Sequence, residues 1–330
     1  MLISADDAVT RLKAGNIVAL PTETVYGLAG LALSEVSVQK IFDLKKRPAT
    51  NPLIVHVWNL GMAEKLANFS DLAYRISSLF WPGPLTLVLP KKGVVPDLVT
   101  AGNDTVAIRM PKHPVFCEIL KKVDQPLAAP SANPANRTSP TMPEHLFDLF
   151  GDNCPPTVDG GKCLIGLEST VLDLSKRNPK ILRYGPLSQK DIITKINGIS
   201  ISPPDPIPNV SKISSGDRAP GQGRVHYAPS TPLYLYPSLN RLLEEKLSGN
   251  DLILVYSDQD EKAVHARGWK TIKLSKNENA KEIAQSLYDT FSKADKSAMK
   301  RLHITLFPSN GSISDAINDR IRRAADELVN

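Results

Sequence analysis

Four polar segments in the first half of the chain lie directly beside apolar runs that have the length of buried strands. They are residues 21–28 (PTETVYGL), 45–56 (KKRPATNPLIVH), 107–111 (AIRMP) and 129–133 (APSAN). Open α/β sheets bind their ligands at the ends of strands. We therefore expect these segments to contribute side chains to one binding site.

Arg109 is the most informative of these side chains, because it lies at the polar end of an otherwise apolar run. A guanidinium on a mostly buried strand needs an anion, since an unpaired buried charge is too costly. That anion is either a carboxylate of the protein or a ligand. The planar fork of arginine can hold a carboxylate or a phosphate through two parallel hydrogen bonds, so recognition of an amino acid or a phosphate is an alternative to a structural ion pair.

The other polar residues are ambiguous when each is taken alone. Residues 22–24 (TET) follow a predicted strand, where a simple turn more commonly has Asn, Asp or Gly. A lone histidine such as His56 within an apolar strand is more often a core residue than a catalyst. The cations at 45–47 end a predicted helix, where they interact favourably with the helix dipole. Further short polar side chains follow at Ser131, Asn133, Ser139, Ser169 and Thr170.

The sequence contains none of the common nucleotide-binding or nucleophile motifs. It has no GxxxxGK[ST] loop, no GxGxxG after a strand, no HExxH and no GxSxG. Its three cysteines are an odd number without CxxC spacing, which argues against a disulfide framework and a zinc site. A nucleotide would therefore be held by an unfamiliar site, and catalysis would depend on positioning and electrostatics.

The first 200 residues are typical of an α/β sheet, most economically a mixed one. Apolar runs predict strands at 17–20, 53–58, 85–89, 106–110 and 170–174. Capping residues and apolar periodicity predict helices at 4–14, 34–46, 72–80, 115–122 and 143–150.

A proline-rich stretch separates this half from a more regular C-terminal part. We predict a linker at 201–230 between a first domain at 1–200 and a second at 231–330. In the second domain, predicted strands at 233–236, 252–255, 272–274 and 304–307 alternate with predicted helices at 239–247, 280–291 and 313–328. This alternation predicts a smaller, doubly wound, mostly parallel α/β domain.

Composition limits the classes of protein that the chain can belong to. Its 330 residues are 42% apolar and 22% charged, which predicts a folded rather than a disordered protein. The longest apolar runs fall far short of the ~20 residues of a membrane-spanning helix, and the N-terminus lacks the pattern of a secretory signal, so we expect a cytoplasmic protein without membrane contact. The net charge of +6 favours anionic partners such as nucleotides or RNA.

Seven segments, in the same order along the chain, closely resemble the YrdC-type threonylcarbamoyl-adenylate synthase family. They are PTETVYGL (21–28), KKRPATNPLIVHV (45–57), WPGPLTLVL (81–89), VAIRMPKHP (106–114), PSAN (130–133), STVLDL (169–174) and ILRYG (181–185). The resemblance covers most of residues 1–190 and implies a YrdC-like twisted mixed sheet with flanking helices. The HYAP sequence at 226–229 and the small domain after it look like the two-domain form of the family.

The resemblance implies a nucleotidyl transfer in which L-threonine, bicarbonate or CO2, and ATP form threonylcarbamoyl-AMP and pyrophosphate. A separate threonylcarbamoyl transferase complex then uses this product to modify tRNA beside the anticodon, and direct binding of tRNA to this chain stays open. By motif position, the implied threonine-binding residues are Thr24, His56, Arg109 and Ser169. The implied ATP-binding residues are Lys45, Arg47, Asn51, Thr105, Ser131, Asn133, Ser139 and Arg183. Mg2+ is expected to bridge the ATP phosphates, with no protein ligand assigned.

The chain departs from the family pattern at two places. The family commonly has a lysine and an arginine separated by one residue, whereas three cations occupy 45–47; we assign Lys45 and Arg47 and expect Lys46 to point outward. Members often carry a lysine, a tyrosine and an arginine before HYAP, whereas this chain reads GQGRVHYAP. A linker that covers the site would bring His226 and Tyr227 to it.

Two other functions stay open from the sequence. A non-catalytic protein that binds double-stranded RNA or tRNA would use phosphate contacts, which have no need for His56 and Arg109 on buried strands. A domain that transfers a carbamoyl group to a protein would call for a metal cluster or an additional partner region, and the sequence shows neither.

Overall fold

The protein is described here by a computed structural model that covers residues 1–196, 198–206, 227–309, 311 and 313–329. Its first sheet contains ten strands within these ranges. They are β1 (Leu2–Ile3), β2 (Val18–Leu20), β3 (Gly27–Leu31), β4 (Ile54–His56), β5 (Leu85–Pro90), β6 (Thr105–Arg109), β7 (Leu127–Ala128), β8 (Thr157–Val158), β9 (Thr170–Asp173) and β10 (Lys180–Arg183).

Helices cover both faces of this sheet, and serine or asparagine caps begin several of them. Ser4, Ser34 and Ser70, for example, each accept a hydrogen bond from the first turn of the helix that follows. The helices are α1 (Ala5–Lys13), α2 (Glu35–Lys45), α3 (Leu60–Leu66), α4 (Asp71–Phe80), α5 (Asp97–Thr100), α6 (Pro114–Val123), α7 (Pro143–Phe150) and α8 (Gln189–Lys195).

The strand order of the first sheet is β1-β8-β2-β3-β7-β4-β6-β5-β9-β10, with both parallel and antiparallel neighbours. β4 and β6 are parallel, and their register places His56 beside Arg109. β5 runs antiparallel to β6 and places Thr86 on the other side of Arg109. Because directly paired residues point to the same face, the register alone brings these three side chains together.

The second sheet is formed by the C-terminal part of the chain and is parallel throughout the described residues, in the order β13-β12-β14-β11-β15. Its elements are β11 (Leu233–Tyr236), α9 (Leu239–Leu243), β12 (Asp251–Val255), α10 (Asp258–His265), β13 (Lys270–Lys273), α11 (Ala280–Asp295), β14 (Arg301–Thr305), α12 (Ile313–Ala324) and β15 (Glu327–Leu328).

Alternating residues of β12 show why this sheet is doubly wound. Leu252 and Leu254 belong to the core formed with α11 and α12. Ile253 and Val255 belong to the opposite core, formed with α9 and α10. The predicted fold class, a mixed sheet followed by a smaller doubly wound parallel domain, is confirmed.

Several predicted boundaries were wrong, each for a local reason. The helix predicted at 313–328 ends at Ala324, because the chain then turns to pair Leu328 with Leu235 as strand β15. Helix α10 was missed because its sequence DQDEKAVH buries only Val264, so it has no apolar periodicity. Strand β3 was missed because its sequence GLAGL contains two glycines, which are uncommon in strands.

Other predicted elements are displaced or changed in length. The helix predicted at 239–247 ends at 243, and the one predicted at 280–291 continues to 295. The strand predicted at 304–307 lies at 301–305. Most of the predicted linker lies outside the described residues, and the boundaries 1–200, 201–230 and 231–330 stay a prediction. In the part of the chain that the structure describes, no helix is both long and apolar enough to span a bilayer.

Candidate active site

A cavity opens at the ends of β4 and β6 and draws its lining from motifs that are far apart in the sequence. Eight of the residues predicted for the site line it: Thr24, Arg47, His56, Arg109, Ser131, Ser169, Arg183 and Tyr227. Thr22 and Glu168 also line it, although neither was assigned to the site from the sequence. The four polar segments therefore do meet in one place.

Arg109 is 4% exposed, and its anion is a carboxylate of the protein. Its Nη2 lies 2.5 Å from Oε1 of Glu23, which is itself 5% exposed. Its Nη1 donates to the hydroxyl of Thr24 at 2.9 Å, and its Nε donates to the carbonyl of Gly83 at 3.3 Å. Since a guanidinium has five N–H groups, these three contacts fix Arg109 and leave two N–H groups that no described residue uses.

The turn that carries Thr24 is held by the hydroxyl of Thr22. This oxygen lies 2.8 Å from the hydroxyl of Thr24 and donates to the carbonyl of Val25 at 2.6 Å. It also accepts the backbone N–H groups of Thr24 and Val25, each at 3.1 Å. Thr22 therefore orients the Thr24 side chain that contacts Arg109.

His56 is 2% exposed and packs against the ring of Phe116 at 5.2 Å between centroids. Burial, together with the charge of Arg109, lowers the pKa of His56 to about 3. The imidazole is therefore neutral at physiological pH. It adds a polar group to the cavity without adding a second positive charge beside Arg109.

This buried histidine predicts a loss of stability in acid. The pKa of His56 is about 3 in the folded chain against 6.5 for an unperturbed histidine, so between these values the unfolded chain binds a proton that the folded chain does not. The free energy of unfolding therefore falls as the pH is lowered through this window. At pH 5 we expect His56 to contribute a loss of about 2 kcal/mol.

Urea unfolding at pH 7.5 and pH 5.0 checks this contribution. The loss of stability between the two values should be about 2 kcal/mol smaller for His56→Gln than for the unchanged protein. His265→Gln serves as the control, because His265 is exposed. An identical pH dependence for His56→Gln and the unchanged protein would show that His56 is not a neutral buried group.

The three cations of the basic segment differ in exposure and in contacts. Lys45, the last residue of helix α2, is 1% exposed, whereas Lys46, the C-cap residue that follows it, is exposed. Nζ of Lys45 donates to the carbonyl of Ser131 at 2.6 Å and to the carbonyl of Asn133. Burial, with a further contribution from the charge of Arg47, lowers the pKa of Lys45 well below its usual value. Lys45 therefore holds the loop that brings Ser131 to the cavity.

Arg47 lines the cavity and is held by the loop that follows it. Its Nε donates to the carbonyl of Asn51 at 3.0 Å, and its Nη2 donates to the side-chain oxygen of Asn51 and to the carbonyl of Pro52 at 2.8 Å. Asn51 does not line the cavity itself. Its position explains why it follows Arg47 so closely in the sequence, because it orients the guanidinium.

Another part of the cavity wall is formed where the Arg183 side chain packs on Ser169, the residue before β9. Nε and Nη2 of Arg183 donate to the carbonyl of Ser169 at 3.1 and 2.9 Å, and Nη2 also donates to its hydroxyl at 3.1 Å. The Ser169 hydroxyl lies 2.7 Å from that of Thr86. Gly185 permits this packing, because a Cβ there would lie 2.2 Å from the backbone nitrogen of Thr170.

Five predicted ATP-binding residues lie away from the cavity lining: Lys45 and Asn51, whose contacts are given above, and Thr105, Asn133 and Ser139. Of the two predicted linker residues, the structure describes Tyr227. Thr105 begins β6, at the opposite end of the strand from Arg109. The Asn133 amide donates to the carbonyls of Pro134 and Arg137 at 2.9 and 2.7 Å, and the Ser139 hydroxyl donates to a carboxylate that lines the cavity. His226 lies outside the described residues, whereas Tyr227 is fully buried and lines the cavity.

The carboxylate bound by Ser139 is Glu168, which lines the cavity and is the main site residue that sequence reasoning missed. It accepts hydrogen bonds from Ser139 at 2.5 Å, from Tyr288 at 3.2 Å and from Arg320 at 2.8 Å. Burial by itself would raise the pKa of Glu168, but the charges of Arg320 and Arg183 outweigh burial and lower it. Arg320 is 152 residues away in the sequence, so no spacing could have revealed the pair.

Comparison with known proteins agrees with this arrangement of motifs. The sequence model of the Sua5/YciO/YrdC family, described as "Telomere recombination", matches residues 10–185. The chain belongs to this family. A second model, described as "Threonylcarbamoyl-AMP synthase, C-terminal domain", matches residues 191–326, so this family member has the two-domain form.

Relatives of this family member resemble it over nearly their whole length. A protein of Pyrococcus abyssi named Threonylcarbamoyl-AMP synthase is 35% identical, over 95% of this chain and 92% of its own length. One of Bacillus subtilis with the same name is 34% identical, over 98% and 93%. The crystal structure of the P. abyssi Sua5 protein complexed with L-threonine superposes with a TM-score of 0.85 at 34% identity, covering 99% of this chain and 96% of that one.

Proposed function

We propose that this protein forms threonylcarbamoyl-AMP and pyrophosphate from L-threonine, bicarbonate or CO2, and ATP, and that the cavity is its active site. Relatives that match it over more than nine-tenths of their length carry the name of this activity. The solved structure that it resembles was determined with L-threonine bound. The observation that carries the proposal is that Arg109, Arg47 and Arg183 all line one cavity.

Within the cavity we assign threonine to the side formed by Thr24, His56, Arg109 and Ser169. Arg109 keeps two N–H groups for the threonine carboxylate, while Glu23 and Thr24 fix its orientation. We assign ATP to the side that contains Arg47, Ser131 and Arg183. Lys45, Asn51, Asn133 and Ser139 would serve ATP through the side chains and loops that they hold. Thr105 lies at the other end of β6 from Arg109.

The proposed reaction requires two anions to lie side by side. The amine of threonine is carboxylated, and an oxygen of the resulting carbamate attacks the α-phosphorus of ATP, which releases pyrophosphate. Guanidinium groups on both sides of the cavity reduce the repulsion between the carboxylates and the triphosphate. The protein itself supplies no nucleophile in this scheme, and burial raises the pKa of the nearby thiol of Cys163 to about 12.

Mg2+ would enter this site with ATP rather than on a set of protein ligands. In the described ranges no three His, Cys, Asp or Glu side chains are grouped so that they could hold a metal ion. The carboxylate that lines the cavity, Glu168, is already bound by Ser139, Tyr288 and Arg320. The described residues therefore offer Mg2+ no such cluster, and in this proposal the phosphate oxygens of ATP are its ligands.

The product, a mixed anhydride of a carbamate and a phosphate, is reactive and must be passed to an acceptor. We propose that a threonylcarbamoyl transferase complex consumes it to modify tRNA beside the anticodon, and that the reaction takes place in the cytoplasm. The burial of His56 and Arg109, 2% and 4% exposed, favours a small-molecule site over a surface for RNA. A phosphate backbone is contacted at an exposed basic surface instead.

Release of pyrophosphate tests the proposed function. The full chain is incubated with ATP, MgCl2, bicarbonate and each amino acid in turn. We expect release that depends on both L-threonine and bicarbonate. Release that is indifferent to the amino acid, or no release with threonine, would overturn the proposal.

A further inference from the structure

Among the described residues, Arg320 of the second domain is one of the largest fully buried side chains, and it reaches the wall of the proposed active site. Its Nε donates to Glu168 at 2.8 Å, its Nη2 donates to the carbonyl of Tyr184 at 3.0 Å, and its Nη1 lies 2.7 Å from Asp319. Its guanidinium carbon lies 4.7 Å from the centre of the Tyr227 ring. A single side chain of α12 thus contacts four parts of the chain.

Two of these contacts are with residues that line the cavity, namely Glu168 and Tyr227. The Tyr227 ring also stacks on the ring of Tyr288, with 5.9 Å between the ring centres. Tyr288, on α11, also donates to Glu168 at 3.2 Å. The second domain therefore contacts both cavity-lining groups with two of its helices.

Glu168 also links the second domain to residues that are assigned to threonine and ATP. It precedes Ser169, whose carbonyl and hydroxyl are held by Arg183, and its Oε1 accepts from Ser139 at 2.5 Å. A shift of Glu168 would therefore move the threonine side and the ATP side of the cavity together. A buried carboxylate without its cation would also reorganise or take up a proton.

A second contact between the domains lies at Gly166 and does not involve Arg320. Its N–H donates to the carbonyl of Thr24 at 3.0 Å, so it is bonded to the turn that carries a predicted threonine ligand. A Cβ at this position would lie 2.4 Å from the carbonyl oxygen of Ala284 and 2.6 Å from Cα of Gln285, both on α11. The second turn of α11 is thus packed against a residue that is hydrogen-bonded to the Thr24 turn of the site.

We propose that the second domain is a working part of the active site, with Arg320 as the positioning residue that holds Glu168 and Tyr227 in place. This inference rests on the proposed function. It assigns the second domain a role in the reaction. Arg320 itself touches no substrate in this proposal, and it acts by positioning the cavity-lining residues Glu168 and Tyr227. Loss of Arg320 should therefore lower turnover of folded enzyme rather than only the amount of folded enzyme.

The first test compares Arg320→Met and Arg320→Lys with Arg323→Met. Arg323 binds the same Asp319 from the next turn of α12, so its variant is the matched control. Pyrophosphate release is measured on the monodisperse folded fraction, with KM for threonine and ATP determined separately. We expect Arg320→Met to lower kcat at least tenfold and to raise both KM values, Arg320→Lys to lie between it and the unchanged protein, and Arg323→Met to stay within twofold.

Substitution at Gly166 provides a variant that keeps every charge, in case Arg320→Met does not fold. Gly166→Ala inserts a methyl group against α11, whereas Gly161→Ala, which also has a positive φ, has open space around the added atom. We expect at least a tenfold loss of kcat for Gly166→Ala and a much smaller loss for Gly161→Ala.

The outcomes separate this inference from the proposed function. If the unchanged protein releases pyrophosphate with threonine and the Arg320 and Gly166 variants match their controls in kcat and KM, the second domain has no role in the reaction and the inference is wrong. If the unchanged protein shows no threonine-dependent release, the proposed function fails instead.

Discussion

Arg109→Ala is expected to abolish binding of L-threonine while ATP binding stays within a few-fold of the unchanged protein. Arg109 lines the cavity beside His56 and keeps two N–H groups that no described residue uses. Truncating one partner of a buried charge pair costs about 2–5 kcal/mol, so the affinity for threonine should fall about 30-fold to several thousand-fold. Isothermal titration with threonine and, separately, with ATP measures both effects.

Destabilisation is the main confounding effect of this substitution. Removal of Arg109 leaves the carboxylate of Glu23 buried without its cation, which costs about 3–5 kcal/mol of stability. The double variant Arg109→Met with Glu23→Gln removes both charges and is therefore the matched comparison. It should fold and bind ATP but still fail to bind threonine, whereas unchanged threonine affinity in either folded variant would refute the role of Arg109.

Lys45→Met is expected to weaken ATP binding about tenfold or more and to destabilise the chain, although Lys45 does not line the cavity. Its ammonium holds the carbonyls of Ser131 and Asn133, and Ser131 lines the cavity. A buried carbonyl that loses its donor costs about 1–3 kcal/mol, partly offset here by relief from burying the amine. We expect a net loss of about 2 kcal/mol in the free energy of unfolding.

Lys46→Met is the matched control, because Lys46 is adjacent, has the same side chain and is exposed. ATP titration and urea unfolding should leave it close to the unchanged protein. Equal ATP affinities for the two variants would show that the loop held by Lys45 does not position the nucleotide.

The parts of the fold with strong local patterns could be predicted from the sequence. Apolar runs marked the strands that end in His56 and Arg109, and the alternation of elements indicated the parallel second sheet. Helix α10 and strand β3 have no such pattern, since one buries a single residue and the other is rich in glycine. Their existence follows from tertiary packing rather than from local propensity.

The candidate site likewise has features that could be predicted from the sequence and features that could not. Arg109 could be predicted to need an anion, but its choice of Glu23 depends on how the turn after β2 folds back on β6. Lys45 could be assigned to the site by motif position, yet its contacts are backbone carbonyls that sequence comparison does not reveal. The pairing of Glu168 with Arg320 joins two domains, so only the three-dimensional structure could show it.

A crystal structure of the full chain with L-threonine and a non-hydrolysable ATP analogue tests the central claim most directly. We predict that both molecules lie in the one cavity, with the threonine carboxylate on Arg109 and the triphosphate beside Arg47 and Arg183. A cavity that stays empty at saturating concentrations, or ligands bound elsewhere on the protein, would contradict it.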